Sequence, residues 1–342
     1  MIRFRPFHFA AILLGLLSLA VPSEAGAQYT SAPLRFEKDP TQTFFSNGHL
    51  ELGLDVGTTG LGLELATPVT DWMRVRAGFN WMPTFSIPMS FNVMTFGGTE
   101  TINSSNFERL QELLGQYNLH IDKTADMIAK PTMIDFKFLV DFSPIPDNRD
   151  WHVTAGFFVG NKRIGDAINR TNEASTMVGI NMYNAMYEWF TEGKFWDEPL
   201  PGVSNADGTP FHLDPGLGMK QAEKFLRYGR MGMHMGDFKD GKPYYMEPDE
   251  YGQVMARCNA TVFKPYLGIG YNGCPTSNKR LRIGFDAGVL FWGGSPDVIT
   301  HDGVNMTKDL VNIPGKVGDY IGFIRALKVL PNVSFKISYT LF

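Results

Sequence analysis

From Val333 to Leu341 apolar and polar residues alternate without a break. Val333, Phe335, Ile337, Tyr339 and Leu341 stand against Ser334, Lys336, Ser338 and Thr340. Period two sends successive side chains to opposite faces of an extended strand. One face of this segment therefore suits hydrocarbon and the other suits water. Seven earlier segments carry the same signal: His49 to Val56, Leu61 to Thr67, Met73 to Trp81, Ile134 to Phe142, Trp151 to Asn161, Phe263 to Tyr271 and Leu281 to Phe291. In the last of these, Leu281, Ile283, Phe285, Ala287, Val289 and Phe291 share the apolar face, while Arg282, Gly284, Asp286 and Gly288 take the other. The Gly57-Thr58-Thr59-Gly60 connection is a tight hairpin turn. Pro265, inside the sixth segment, predicts a bulge or local irregularity.

Eight strands of about nine residues, an even count, predict an all-β fold: one antiparallel transmembrane β-barrel with both strand termini at the same rim. Ten strands is the alternative, with a further hairpin inside 162–257. A β-sandwich also alternates, but here the charged residues sit among glycines, which suits a narrow charged lumen. Composition agrees, with 36 Gly and 13% aromatics. Although 44% of the chain is hydrophobic, no segment after the N-terminal run is long and uncharged enough for a helical span. A formal net charge of -4 gives no reason to expect a nucleic-acid partner.

The N-terminus reads as a secretory signal peptide over 1–27. Arg3 and Arg5 precede an apolar run from Phe7 to Val21, and Ala25-Gly26-Ala27 is a small-residue cleavage site. Cleavage would leave 28–342 as a single barrel domain. An uncleaved anchor is the alternative.

With these residues in view, the chain resembles the small outer-membrane β-barrel proteins of Gram-negative bacteria, in the OmpA-like, OmpW-like and opacity-type group. The resemblance is carried by the signal peptide, Gly57 to Glu64, Pro265 to Gly270, Phe285 to Phe291 and Ser338 to Phe342. It covers only the strands. It implies an outer-membrane location, lipid as a partner, and handling by the barrel-assembly machinery through Tyr339, Leu341 and Phe342. Phe342 departs from the usual terminal signature, being out of phase with Tyr339 and Leu341.

The inward positions collect six acids, Glu51, Asp55, Glu64, Asp135, Asp141 and Asp286, and six bases, Arg74, Arg76, Lys137, Lys264, Arg282 and Lys336. An unpaired buried charge is costly, and an eight-stranded barrel is just wide enough for side chains to fill. An ion-pair network that fills the lumen is expected. The alternative is a small ion-selective pore lined by Arg74, Arg76 and Arg282. His152 also faces inward and could pair with an acid.

Three long segments separate the strands: 83–130, 162–257 and 293–332. They are rich in aromatics and Met, which argues against disorder. Ser105 to Glu108 reads as a capping box opening a helix with Phe107, Leu110, Leu114 and Tyr117 on one stripe. Thr176 to Phe190 and Tyr320 to Leu330 are two further helical candidates. Short turns are usually periplasmic, so these long loops are expected outside the cell, where they could cap the barrel or meet a surface protein or small ligand.

Arg230 to Gly236 holds the metal-like chemistry: Met231, Met233, His234 and Met235 suit soft copper or a haem, but the intervening glycines predict a flexible loop. Cys258 and Cys274 read as free thiols at opposite strand ends. No P-loop, EF-hand, HExxH or CxxC pattern occurs, and no cofactor is expected. The sequence thus favours a non-enzymatic barrel acting through its loops. A channel for small polar or amphipathic solutes is the alternative, with a membrane-embedded hydrolase behind both.

Overall fold

The computed structural model describes residues 49–115, 120–170, 174–200, 203–275 and 280–341. The candidate signal peptide, Tyr117 and Phe342 lie outside these residues. Sixteen strands and four α-helices among the described residues are numbered in chain order. Eight of the strands close into an antiparallel barrel: β1 (Glu51–Gly57), β2 (Gly60–Thr70), β3 (Met73–Trp81), β6 (Ile134–Phe142), β7 (Trp151–Gly160), β12 (Phe263–Gly273), β13 (Leu281–Leu290) and β16 (Leu330–Thr340). The order around the wall is β1-β16-β13-β12-β7-β6-β3-β2. Glu51 pairs with Thr340, so the first and last strands seal the barrel.

The two rims differ. At the lower rim lie the outer ends of β1 and β16, the connections 71–72 and 143–150, and the ends of β12 and β13 at Gly273 and Leu281. At the upper rim lie the two-residue hairpin between Gly57 and Gly60 and all three long segments. Gly60 has φ 97, a left-handed conformation that β-branched residues avoid.

The outward positions of the barrel strands carry no charged residue. Leu54 is 63% exposed and Ile134 is 59% exposed. Water does not tolerate so continuous an apolar belt; a bilayer requires one. Trp72, Trp151, Tyr271 and Tyr339 cluster toward the lower rim, and Trp81, Phe263 and Phe291 toward the upper. Such girdles place amphipathic rings at the headgroup level. No described helix is long and apolar enough to cross a membrane.

The remaining strands are β4 (Ile87–Gly97), β5 (Thr124–Pro131), β8 (Arg163–Asn169), β9 (Gly229–Phe238), β10 (Pro243–Met246), β11 (Met255–Asn259), β14 (Asp297–Thr300) and β15 (Leu310–Val311). They form a second sheet in the order β10-β9-β4-β5-β8-β11-β14, with β15 against β9. Strands from all three long segments interleave in it. The further strands of 162–257 belong here, so the ten-strand alternative is wrong.

Half of this sheet is the barrel wall prolonged. The neighbours β5-β8-β11-β14 repeat the order of β6-β7-β12-β13 directly below them. Main-chain bonds cross the break: Thr132 N to Ile164 O at 3.0 Å, Asn161 N to Ile134 O at 3.2 Å and Ala260 N to Lys162 O at 2.9 Å. Asn161 bridges the bend, its amide donating to Thr132 O at 2.7 Å and its side-chain oxygen accepting from Ile134 N at 2.8 Å.

Helices α1 (Glu108–Gly115), α2 (Ala174–Thr191), α3 (Pro215–Tyr228) and α4 (Gly315–Ala326) complete a head over the upper rim. Met177, Ile180, Tyr183, Met186 and Phe190 of α2 are buried at helical spacing. They join Phe107, Leu110, Phe225, Met233, Val298 and others in one apolar core. Asp214 caps α3, accepting from the main-chain N–H groups of Gly216 and Leu217 at 3.0 and 3.1 Å.

Three expectations need correction. Ser105 is no helix cap, because α1 begins at Glu108 itself and the Ser105 hydroxyl donates to Asn103 Oδ1 at 2.6 Å. The third helix runs Gly315–Ala326 rather than 320–330; Leu330 already belongs to β16. Pro265 causes no bulge: its register with Phe157 is regular, and its carbonyl accepts from Phe291 N at 2.8 Å. Its missing N–H falls on the same side, opposite Phe291 just past the end of β13, so the one bond lost lies at the margin of the sheet.

Candidate functional site

Period two puts the twelve charged positions inside the barrel, and the structure brings them into contact. Arg76, on β3, lies at the centre. Its guanidinium donates to Asp141 Oδ1 at 2.9 and 3.1 Å, to Asp286 at 2.9 and 3.1 Å, and more weakly to Glu64 at 3.4 Å. Below it, Arg74 bridges Glu51 at 2.9 Å and Asp141 at 3.1 Å, and Arg282 reaches Glu51 at 3.4 Å. Lys336 lies 3.4 Å from Glu64 and 3.5 Å from Asp286. Above it, Lys137 contacts Asp55 and lies 2.9 Å from Glu64. Nearest the upper rim, Lys264 holds Asp135 at 2.5 Å. Every one of the twelve has an opposite charge in reach, and ten of them are buried.

Neutral groups fill the spaces between the charges. Thr154 donates to Asp141 at 2.8 Å, and Asn80 donates to Asp55 at 3.1 Å and to Thr59 at 2.9 Å. The hairpin hydroxyls of Thr58 and Thr59 donate to Asn332. Leu139, Phe158, Tyr266 and Leu290 form an apolar layer across the upper lumen. The void among Asp55, Glu64, Arg76, Lys137 and Tyr266 has room for about one water molecule.

His152 Nε2 lies 3.0 Å from Asp286 Oδ1 and 3.9 Å from Asp141 Oδ1. Donor atoms of Asp141, His152 and Asp286 fall within 4.8 Å of one another, a spacing that fits a cation. Arg76 already bonds both carboxylates and supplies that positive charge. Gly270 lets the pair approach: a methyl there would overlap His152 Nε2 and Asp286 Oδ1.

The methionine-histidine cluster is not a flexible loop. It is β9, and alternation separates its members: Met231, Met233 and Met235 are buried in the head core, while His234 takes the opposite face. There His234 lies 3.5 Å from Asp237 and against the ring of Tyr245. Three thioethers and an imidazole on opposite sides of a sheet share no metal. The main chain of Met231 is held by Asn184, which accepts from its N–H at 2.8 Å and donates to its carbonyl at 2.9 Å. Arg230 beside it joins Glu188 of α2 at 2.5 Å to Glu247 at 2.6 Å, tying helix to sheet.

Cys258 lies in β11 and Cys274 just beyond β12, and no disulfide joins them. Burial pushes the Cys258 thiol up to about 12, with Asp297 and Asp166 adding to it. Tyr339 and Leu341 face outward at the lower rim, in phase with Ile337.

The second sheet was the feature missed in the sequence: 124–131 alternates through Ala125, Met127 and Ala129, but on the opposite face from the apolar face of β6, and 163–169 places Asp166 on one face with Ile164 and Ile168. Tyr266 and Phe158, read as strand members, were not recognised as a lumen plug.

No protein-family model and no curated protein matches the chain. Solved structures similar to it include CarO2 of Acinetobacter baumannii, 13% identical over 85% of this chain and 98% of that one, with a TM-score of 0.36. CarO of the same organism is 10% identical over 86% and 97%, with a TM-score of 0.36. A major outer membrane protein from Thermus thermophilus is 10% identical over 86% and 98%, with a TM-score of 0.26.

Proposed function

We propose that this protein is a non-enzymatic outer-membrane barrel with a closed lumen, acting at the cell surface through its folded head. The complete pairing of charge inside the barrel carries this reading. A conducting pore needs mobile water beside its charges, whereas here each guanidinium and ammonium group contacts a carboxylate, and apolar side chains share the upper lumen with them. The uncharged outer belt supports the membrane placement. The short connections at the lower rim support a periplasmic face there, with the head outside the cell. The head has a core of its own, so its role is to present a fixed surface to a protein or small-molecule partner. Strand count agrees with the OmpA-like, OmpW-like and opacity-type group; the interleaved head sheet is an addition to it.

Single-channel recording on refolded 28–342 in a planar bilayer tests this. A heat-modifiable barrel that gives no steps is the expected result. Removal of 174–255 should leave it silent, because Asp135, Lys264, Leu139 and Phe158 all belong to the barrel strands. Stable steps of defined size from the intact protein would refute the closed-lumen reading.

A further inference from the structure

The prolonged wall has two faces. Ala125, Met127, Ala256 and Val298 turn inward to the head core. The opposite face continues the lipid-facing side of the barrel, and charge appears on it at once. Lys130 on β5 stands opposite Asp166 on β8, which stands opposite Arg257 on β11, giving one row across three strands. Nearer the rim, Asn259 pairs with both Arg163 and Asp297, and the exposed Lys162 adjoins them. Lys308 reaches Asp297 at 2.7 Å, and Arg163 reaches Asp166 at 3.4 Å. Burial pushes the Asp297 carboxyl up, but its bonds to Lys308 and Asn305 and the charges of Lys308 and Lys162 outweigh that and hold it below the ordinary value. Near the rim, two acids thus answer five bases, in a chain whose formal net charge is -4; farther up the same face Asp126 is paired with Arg170 at 3.6 Å.

We infer that this collar binds the phosphate of an anionic lipid in the leaflet at the upper rim, through Lys130, Lys162, Arg163 and Arg257. The inference rests on the membrane placement proposed above and on neither a partner nor a conducting state. Two properties on the page select the occupant. The collar is continuous with the belt that would touch acyl chains, so a molecule reaching both must carry an apolar tail below and a charged head above. The excess charge is positive, so the head is an anion. Neighbouring strands lie about 4.8 Å apart, so Lys130 and Arg257, two strands apart, can grip one headgroup from both sides. Arg257 offers two parallel donors to phosphate oxygens, while lysine acts as a point charge.

The test uses residues 28–342 refolded into phosphatidylcholine nanodiscs containing a minor share of phosphatidylglycerol. Lipid retained after return to detergent is identified by native mass spectrometry. Phosphatidylglycerol should be retained about tenfold or more above its share in the disc, and that enrichment should fall as salt is raised. The triple variant Lys130→Gln, Lys162→Gln, Arg257→Gln should lose it while remaining heat-modifiable. An inserted barrel showing no enrichment, or an enrichment indifferent to salt, or one that survives in a folded variant, overturns the inference alone. Failure of the wild type to insert into any disc overturns the membrane placement with it.

Discussion

Arg76 on β3 clasps both carboxylate oxygens of Asp286 on β13, at 2.9 and 3.1 Å. The two strands stand on opposite walls of the barrel, four places apart in the ring. One side chain therefore spans the lumen and ties walls that share no main-chain bond. Arg76→Met would leave Asp141, Asp286 and Glu64 facing one another with less positive charge among them. Removing one partner of a buried pair costs about 3–5 kcal/mol. The urea midpoint of the variant in lipid vesicles should fall accordingly; an unchanged midpoint would mean the network contributes nothing to stability.

Lys264 and Asp135 make a simpler case, a buried pair at 2.5 Å near the upper rim. Lys264→Met and Asp135→Leu should each lose about 3–5 kcal/mol, and the double substitution should return to within about 1 kcal/mol of the wild type. A double-mutant cycle by urea unfolding measures this. Additive losses would show that the two side chains act independently.

Met233 is buried in β9, opposite Val93 of β4 and Met246 of β10. Met233→Asp would bury an unpartnered carboxylate, at a cost of at least several kcal/mol. The head core should open to limited trypsin digestion while the barrel keeps its heat-modifiable mobility, because barrel strands pair only with one another across the eight-membered ring. Loss of both together would show that head and barrel fold as one cooperative unit. Met233→Leu should be mild, about 1 kcal/mol or less, since volume is kept. Copper affinity should be indifferent to either change, since His234 lies on the other face of the strand.

The Cys258 thiol, raised to about 12 by burial, bears on reactivity. A raised thiol pKa means the nucleophilic thiolate is scarce at neutral pH and grows as pH rises. At pH 8 roughly one molecule in ten thousand would carry it, against about a quarter for an ordinary cysteine. In a Cys274→Ala background, native alkylation by iodoacetamide should be slow at pH 8 and quicken about tenfold per unit of pH up to the pKa. Native and urea-unfolded protein reacting equally fast at pH 8 would sink this.

Alternation is a local property, read from neighbouring residues without knowing what pairs with what. That is why all eight barrel strands, the lipid face and the twelve inward charges were legible in the chain: a period of two assigns each side chain to a face, and charge tells which face avoids lipid. The helix over 176–190 was legible for the same reason, from the spacing of Met177, Ile180, Tyr183 and Met186. What the sequence left open depends on contacts between residues far apart along it. Met231, Met233 and Met235 resemble metal ligands until β4 and β10 close on either side of them and the sheet divides them from His234. The head sheet needs strands from three separate segments at once, and its basic collar exists only because β5, β8 and β11 run in register above the barrel wall. Pairing across such distances is decided by shared burial in the folded molecule, and no local pattern encodes it.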